Sequence, residues 1–233
     1  MSRIFCVVQA RITSSRFPNK IFQKLGGVQA IDYVLDACHD SISDEVLLVV
    51  PESQIHSFQE KINESRYEKL TVTGGSEENV LSRYTVGLAG RGCQKDDTVV
   101  RITSDCFAMN SIFIDKSVEF FENSNFDYIN NSTVTRVLSA DNPDDYQTDT
   151  ETPDGFNVEV FRFESLLEAQ EKAETKYDIE HVTPWIKRNK QCSVFNTGKI
   201  CLTGKFSVDT PEDLEIIEAY HKLLNAGRIK YEL

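Results

Sequence analysis

Short apolar runs alternate with amphipathic segments along the first half of the chain, and this alternation limits the available folds more than any other feature. The apolar runs predict buried strands, and the segments with apolar residues at helical spacing predict helices. The predicted strands are 4–8, 45–50, 70–73 and 99–103, and the predicted helices are 30–38, 54–65, 77–88 and 112–123. This order predicts an α/β fold with three αβα layers and a mostly parallel, mixed sheet that binds ligands at the carboxyl ends of its strands.

The regular order ends near residue 130, where an acidic segment begins. Residues 139–159 contain seven Asp and Glu and no Lys or Arg, which is typical of a solvated loop, with a lid over the site as the functional alternative. We expect residues 1–233 to form one domain with an excursion at about 131–163. Later strands are predicted at 156–163, 193–196 and 205–208, and later helices at 165–176, at 178–188 with a break at Pro184, and from Thr210 to near Gly227.

The chain carries a net charge of −12, which argues against nucleic acid or a membrane surface as its partner, since both require a broad basic face. No apolar stretch approaches the ~18 residues of a membrane span. The six cysteines include no C-x-x-C pair, which favours reduced thiols over disulfide or metal roles. These features predict a soluble, cytoplasmic protein.

A basic loop follows the first predicted strand. The residues from Val7 to Lys20 read VVQARITSSRFPNK, with Arg11 and Arg16 among hydroxyl and amide side chains, and no Asp or Glu occurs within residues 1–31. A loop of this kind after a strand often binds phosphate, although a solvated basic loop has the same composition. The loop lacks the spacings G-x-x-x-x-G-K-[ST] and G-x-G-x-x-G, which argues against a P-loop kinase and a dehydrogenase.

Two aspartates follow predicted strands at the same edge of the sheet. Asp105 lies in the segment RITSDC, and Asp209 lies in FSVDTPED, ahead of the last helix. Carboxylates at these positions are suited to hold Mg²⁺ together with substrate phosphates. Each also has a structural explanation, because Asp105 could cap the next turn or pair with Arg101, and Asp209 could bond its own backbone.

Two other positions have open assignments. The adjacent glycines of Gly74–Gly75–Ser76 fit either the close approach of a planar base or a tight turn in which Ser76 caps the next helix. His181 lies between acidic and aromatic residues in DIEHVTPW, and it fits either a substrate contact or a histidine on a helix surface.

Seven segments resemble motifs of the cytidylyltransferases that make CMP-activated acidic sugars. They are QARITSSRFPNK at 9–20, LGG at 25–27, GGSEENVLSRY at 74–84, VVRITSDC at 99–106, DGFNVEVF at 154–161, DIEHVTPWI at 178–186 and SVDTPEDL at 207–214. Within these relatives of the CMP-sialic acid and CMP-Kdo synthetases, the chain is most similar to the spore-coat-polysaccharide group. The resemblance implies a nucleotide-diphospho-sugar transferase-like fold with a small β excursion.

The resemblance also implies a reaction. CMP would pass from CTP to a hydroxyl of a sialic acid-like or Kdo-like sugar, with release of pyrophosphate, for the synthesis of a cell-surface polysaccharide. Mg²⁺ would be the cofactor, and the excursion would contribute to sugar binding and to a homodimer.

The same resemblance assigns roles to individual residues. Arg16, Lys20 and Asp209 would be catalytic, and Asp105 and Asp209 would bind the metal. The implied nucleotide contacts are Gln9, Arg11, Ser14, Ser15, Arg16, Lys20, Gly75, Ser76 and Asp105. The implied substrate contacts are Asp154, Asn157, Glu159 and His181.

Three positions depart from the family pattern. Thr13 and Asn19 stand where relatives usually have glycine, and Phe107 replaces a proline. Asn tolerates positive φ better than most residues, and Thr does not share this tolerance.

Three other functions remain open. They are a nucleotidyltransferase with another base or a sugar phosphate, a glycosyltransferase, and a non-catalytic nucleotide- or sugar-binding relative. The lack of a D-x-D motif in the central strands counts against a glycosyltransferase. The open candidates for a cation that binds the sugar carboxylate are Arg136, Arg162, Lys187 and Arg188.

Overall fold

The predicted strands and helices form in the order in which their sequence patterns occur. The computed structural model describes residues 2–14, 16–131, 134–137, 146–148, 152–195 and 205–229, with 134–137 and 146–148 described by their backbone. The strands are β1 Ile4–Gln9, β2 Lys24–Leu25, β3 Val28–Gln29, β4 Glu45–Pro51, β5 Leu70–Gly75, β6 Thr98–Thr103, β7 Tyr128–Asn130, β8 Val134–Val137, β9 Tyr146–Thr148, β10 Glu159–Arg162 and β11 Cys192–Val194. The helices are α1 Ala30–His39, α2 Ile55–Lys61, α3 Val80–Gly90, α4 Ser111–Glu122, α5 Phe163–Lys172, α6 Lys176–His181, α7 Pro184–Asn189 and α8 Pro211–Asn225.

β1 lies at the centre of the main sheet because both of its faces are apolar. The side chains of Phe5 to Val8 are fully buried, as expected for a strand that is covered on both sides. Among the described residues, seven strands form this sheet in the order β11, β7, β10, β6, β1, β4, β5. β10 runs antiparallel to β6 and β7, and the other neighbours are parallel. The predicted mostly parallel, mixed sheet is confirmed.

A hydrophobic layer covers each face of this sheet. One layer contains Cys6 and Val8 of β1 together with side chains of α1, α4 and α8. The other contains Phe5 and Val7 of β1 together with side chains of α3, α5 and α7. The alternation of side chains along a strand therefore divides the core in two, and the predicted three-layer architecture is confirmed.

Two predicted helices have different bounds in the structure. The helix predicted at 54–65 ends at Lys61, because Ile62 takes an extended conformation and turns its side chain into the core. The helix predicted to begin at residue 77 begins at Val80, since the N-cap is Asn79, whose Oδ1 accepts from the backbone N–H of Ser82 at 2.7 Å. Ser76 as N-cap, one of the two assignments left open at Gly74–Ser76, does not hold, and its Oγ instead accepts from the backbone N–H of Asn79 at 3.0 Å.

The late strands are shorter than predicted. The strand predicted at 156–163 is reduced to β10, and residues 205–208 make a single bridge, between Lys205 and Asp154. This bridge brings two backbones together at Gly155, whose φ is +100° and where a Cβ would lie 2.3 Å from the carbonyl carbon of Phe206. Only glycine fits such a close approach of two backbones. The approach places Asp154 beside Ser207.

The predicted excursion at about 131–163 lies partly outside the described residues, which leave out 132–133, 138–145 and 149–151 and include its strands β8 and β9. These strands pair antiparallel. The predicted lid, sugar contacts and dimer contacts of residues 131–163 thus remain predictions for that segment. No helix in the described ranges is long and apolar enough to cross a lipid bilayer.

Candidate active site

The basic loop after β1 is closed by its own backbone. The backbone N–H of Asn19 donates to the carbonyl of Ile12 at 3.2 Å, and Asn19 takes a left-handed conformation with φ 57° and ψ 21°. Asparagine tolerates this region better than most residues, which explains how it can stand at a position where the resemblance implies glycine. The turn at Asn19 directs the chain so that Lys20 points back toward the end of the sheet.

Gln54 fixes the other side of the loop. Its Oε1 accepts from the backbone N–H of Ile12 at 2.8 Å, and its Nε2 lies 3.3 Å from Thr13 Oγ1. Thr13 has a negative φ, so a side chain at this position causes no backbone strain. The hydroxyl of Thr13 also lies 3.5 Å from Glu77 Oε1. Threonine in place of the glycine of the family pattern therefore adds side-chain contacts to the loop.

Lys20 joins the two aspartates that the sequence placed at one edge of the sheet. Its Nζ lies 3.1 Å from Asp105 Oδ2 and 3.8 Å from Asp209 Oδ1. Asp105 follows β6 by two residues, and Asp209 precedes α8. The backbone N–H of Val208 donates to the carbonyl of Asp105 at 3.3 Å. Both carboxylates thus reach one cation through segments that touch each other.

Asp209 lies among three cations. Arg16 and Lys205 approach its two oxygens at 3.0 and 2.8 Å, in addition to Lys20. Partial burial raises the pKa of Asp209, but the hydrogen bond and charge of Lys205 and the charges of Lys20 and Arg16 outweigh it and hold the pKa below its ordinary value. Asp209 is therefore a stable carboxylate at neutral pH.

These two carboxylates fit Mg²⁺ by their chemistry. Lys20 already places a positive charge between them, and hard carboxylate oxygens are ligands that Mg²⁺ prefers. Within the described residues, no group of three or more His, Cys, Asp or Glu side chains is arranged to hold a metal. A magnesium ion here would complete its coordination with water and substrate phosphates, as Mg²⁺ commonly does.

A cleft of about 360 Å³ opens at the carboxyl ends of β1 and β6, and its volume is in the range of small-molecule sites. Most of the sequence-predicted residues that the structure describes line it. Those residues are Gln9, Arg11, Ser14, Arg16, Lys20, Asp105, Asp154, His181 and Asp209. Ser15 lies outside the described residues.

Gly75 and Ser76 do not line this cleft. The glycines lie within β5, and a Cβ on Gly74 would meet Glu52 and Ile55, while one on Gly75 would lie 3.0 Å from Arg83 Cγ. The close approach that glycine allows here is therefore made by the chain's own side chains.

Arg83 is a cleft cation that the sequence interpretation did not single out. It is 3% exposed, and its guanidinium donates to the carbonyls of Ser76 and Glu77, each at 2.9 Å. Burial lowers its pKa from the ordinary value. Arg83 is the only charged residue of α3, and this isolation on an otherwise uncharged helix is the signal that could have identified it.

The predicted substrate contacts differ in their surroundings. Asp154 faces the cleft, accepts from the hydroxyl of Ser207 and from Asn157 Nδ2, and thus holds a neighbouring amide in place. His181 also lines the cleft, where burial and the charges of Arg101 and Lys187 lower its pKa. An imidazole with a lowered pKa is uncharged at neutral pH.

Glu159 occupies a different position, beneath the cleft. It does not line the cleft, its side chain is 8% exposed, and it forms ion pairs with Arg101 and, at 2.7 Å, with Lys187. Tyr128 and Thr183 donate to the same carboxylate at 2.6 and 2.9 Å. Burial raises the pKa of Glu159, but the two cations and these hydrogen bonds hold it well below its ordinary range.

A basic loop and two carboxylates meet at the carboxyl ends of the central strands, where open α/β sheets bind their ligands. The model of the cytidylyltransferase family matches residues 5–226. The chain belongs to this family.

Two relatives match most of the chain. An uncharacterized protein of Methanocaldococcus jannaschii is 30% identical over 189 residues, which cover 80% of this chain and 68% of the relative. The spore coat polysaccharide biosynthesis protein SpsF of Bacillus subtilis is 25% identical over 236 residues, which cover 95% of this chain and 88% of that protein.

Solved structures share the fold. A cytidylyltransferase from Leptospira borgpetersenii has a TM-score of 0.78 at 20% identity and covers 100% of this chain and 99% of its own. CMP:2-keto-3-deoxy-manno-octonic acid synthetase complexed with CTP has a TM-score of 0.66 at 15% identity, with 96% and 100% of the two chains covered. At these identities the likeness is one of fold.

Proposed function

We propose that this protein transfers CMP from CTP to a hydroxyl of an acidic sugar, in a reaction that depends on Mg²⁺ and releases pyrophosphate. The observation that carries the proposal is the meeting of Lys20 with Asp105 and Asp209 at the carboxyl ends of the central strands. The family and the CTP-bound synthetase of the same fold support CTP as the nucleotide. The similarity to a spore coat polysaccharide biosynthesis protein supports a sugar acceptor.

The cleft side chains have separate tasks in this reaction. The acceptor hydroxyl bonds to the α-phosphorus of CTP as the bond between the α- and β-phosphates breaks. Arg16 and Lys20 stabilise the charge on the leaving pyrophosphate, and Arg11 orients the triphosphate, because phosphoryl transfer is promoted mainly by positioning and charge neutralisation. Asp105 and Asp209 would hold Mg²⁺, which supplies charge neutralisation at the phosphate and a lower pKa for the hydroxyl.

The four candidate cations for the sugar carboxylate fall into different environments. Arg162 forms an ion pair with Glu122, and Arg188 forms one with Asp178. Both arginines therefore stabilise the fold. Lys187 lies beside Glu159. The side chain of Arg136 belongs to the segment described by its backbone, so it stays a candidate for the carboxylate.

The proposal can be tested by measuring pyrophosphate release from purified protein in the presence of Mg²⁺. Each nucleoside triphosphate is combined in turn with a panel of acidic sugars and sugar phosphates. We expect release with CTP and an acidic sugar. Release with another triphosphate or with a sugar phosphate would indicate a sister nucleotidyltransferase. Nucleotide binding without release under any pairing would overturn the proposal in favour of a binding protein.

A further inference from the structure

Four protein donors surround the carboxylate of Glu159. Its Oε1 accepts from Tyr128 at 2.6 Å, Thr183 at 2.9 Å and Lys187 at 2.7 Å, and its Oε2 accepts from Arg101. The side chain is 8% exposed and does not line the cleft, so a sugar in the cleft does not reach this carboxylate. Glu159 therefore acts through its neighbours, and two of these neighbours lead to side chains in the cleft.

The first connection runs through Arg101 to Gln9. A second guanidinium nitrogen of Arg101 donates to Gln9 Oε1 at 3.0 Å, and the hydroxyl of Tyr84 donates to the same oxygen at 3.1 Å. Two donors require the amide oxygen at this point, because a reversed amide would place N–H groups against them. The Nε2 donor of Gln9 is thus left for the cleft that Gln9 lines.

The second connection runs through Thr183 to His181. The backbone N–H of Thr183 donates to the carbonyl of His181 at 2.8 Å across Val182, which has φ 72° and ψ −55°. These values are those of the rare γ-turn with positive φ, and a β-branched residue at positive φ is an outlier that its surroundings must hold in place. Val182 is fully buried, and Thr183 is fastened to Glu159.

This turn determines where His181 lies. It separates α6 from α7, and His181 is the last residue of α6. The imidazole lines the cleft and contacts the ring of Tyr177 at a tilt of 46°, with ring centroids 4.4 Å apart. A relaxed turn would direct the end of α6 elsewhere, so the position of the imidazole depends on the bond between Thr183 and Glu159.

We propose that Glu159 is a positioning residue that holds Gln9 and His181 as the pair of cleft side chains that contacts the acceptor sugar. The pair offers an amide donor and an uncharged imidazole, which suit hydroxyl and carboxylate oxygens better than a triphosphate, for which the cleft has cations. This inference rests on the proposed function, and it adds which residues recognise the acceptor and what holds them.

Thr183→Val is the decisive variant, because valine keeps the branched shape and removes the one hydroxyl that fastens the turn to Glu159. Thr85→Val is the matched control, since Thr85 is a buried threonine whose hydroxyl donates to the carbonyl of Ser82 in a helix. Thr183→Ser restores the hydroxyl and tests rescue. All three keep the charged groups around His181, which are Glu159, Glu180, Arg101 and Lys187.

The first measurement needs no acceptor. In the NMR spectrum of the histidine ring protons of the full chain, the His181 signal is identified by its loss in His181→Asn. We expect this signal to shift in Thr183→Val, with a pKa that moves up toward the ordinary value as the ring becomes hydrated. Thr183→Ser and Thr85→Val should keep the original signal. An unchanged His181 signal in Thr183→Val would overturn the positioning role.

The second measurement separates the two substrates. With CTP, Mg²⁺ and 3-deoxy-manno-octulosonic acid or N-acetylneuraminic acid as probe acceptors, we expect Thr183→Val to raise the acceptor KM roughly tenfold, equivalent to about 1.4 kcal/mol. The KM for CTP should stay within about twofold of its original value, a change that corresponds to only a few tenths of a kcal/mol. A rise in the KM for CTP alone would place the pair in the nucleotide site and overturn the acceptor role.

Coupling between variants completes the test. Thr183→Val and His181→Asn should be non-additive in their effect on acceptor KM, because both act on one side chain. If the unaltered protein releases no pyrophosphate with any acceptor, the proposed function fails and the acceptor role with it. If it releases pyrophosphate and the acceptor KM is the same in Thr183→Val, the further inference alone fails.

Discussion

Two clusters of acids and bases lie on the same sheet and differ in how much water reaches them. At the edge of the sheet, Asp105 and Asp209 meet Lys20 with side chains that are 31% and 23% exposed. Beneath the cleft, Glu159 meets Arg101 and Lys187 with a side chain that is 8% exposed. Both clusters hold carboxylates against cations at similar distances.

The difference in exposure separates groups that can exchange partners from groups that cannot. Water screens the pairs of Asp105 and Asp209, so at low cost a metal can replace a lysine beside a carboxylate, and a phosphate can replace a carboxylate beside a lysine. Removal of a partner from the Glu159 cluster leaves a charge without water or counter-ion, which is strongly unfavourable. The exposed cluster is therefore suited to binding and the buried cluster to positioning.

The largest expected effect is the loss of stability in Glu159→Gln. This change leaves Arg101 and Lys187 as buried cations without an anion, a defect that costs about 3–5 kcal/mol. For a chain of this size the melting temperature should fall by roughly 10 °C, as measured by calorimetry. Glu168→Gln is the control, because Glu168 pairs with Lys172 and Lys190 near the surface and should change stability by less than about 1 kcal/mol.

Asp209→Asn should give the opposite result. The fold should keep its melting temperature within about 2 °C, since exposed pairs contribute little. Turnover, measured as pyrophosphate release, should fall by a factor on the order of 10²–10³ or more, because one of the two carboxylates proposed to hold Mg²⁺ at the reacting phosphate is lost. Asp40→Asn, at an exposed turn, is the matched control. Near-normal turnover in Asp209→Asn would remove Asp209 from the proposed metal site.

Acid should weaken the buried cluster in a defined pH range. The pKa of Glu159 is held below its ordinary value of 4.5, so the unfolded chain takes up this proton first as the pH falls. The stability that Glu159 contributes is complete above about pH 4.5 and is lost below it, by about 1.4 kcal/mol per pH unit. Urea unfolding between pH 5 and pH 3 should show a steeper fall in the free energy of unfolding for the unaltered protein than for Glu159→Gln. Parallel curves would contradict this expectation.

The smallest expected effect concerns the loop that carries Lys20. Asn19→Ala places a less tolerant residue at φ 57° and should cost about 1 kcal/mol. Asn19→Gly should be close to neutral, because glycine adopts this conformation without strain. The measurements are urea unfolding and pyrophosphate release for both variants. Equal losses in both variants would show that the side chain of Asn19, and not its backbone conformation, matters.

The exposed cluster could be predicted from the sequence, and the buried cluster could not. Asp105 and Asp209 follow apolar runs, and the carboxyl ends of parallel strands share an edge, so local patterns were sufficient to bring them together. Glu159 meets Arg101 because β10 pairs antiparallel with β6 in a register that matches these two residues. Such a register depends on contacts between distant segments, which hydrophobic periodicity does not encode.

Backbone strain accounts for other differences. The γ-turn at Val182 has a backbone conformation that β-branched residues avoid, and its buried surroundings hold it in place. The sequence pattern therefore predicted a break in the helix at Pro184 but not the γ-turn. At Gly74 and Gly75 the sequence indicated a close approach or a turn. The structure has the glycines inside β5, where the approaching atoms belong to Glu52, Ile55 and Arg83.

The bond from Lys20 Nζ to the carbonyl of Val208 joins residues that lie 188 positions apart in the chain. During synthesis, the basic loop leaves the ribosome well before the segment that carries Asp209, because the two are separated by almost two hundred residues. β1 can pair with β4 and β6 only after those strands have been made, and the cleft gains Ser207 and Asp209 only when the segment ahead of α8 takes its place. A nascent chain that stopped before residue 209 would therefore hold the phosphate-binding loop with only half of its carboxylate pair.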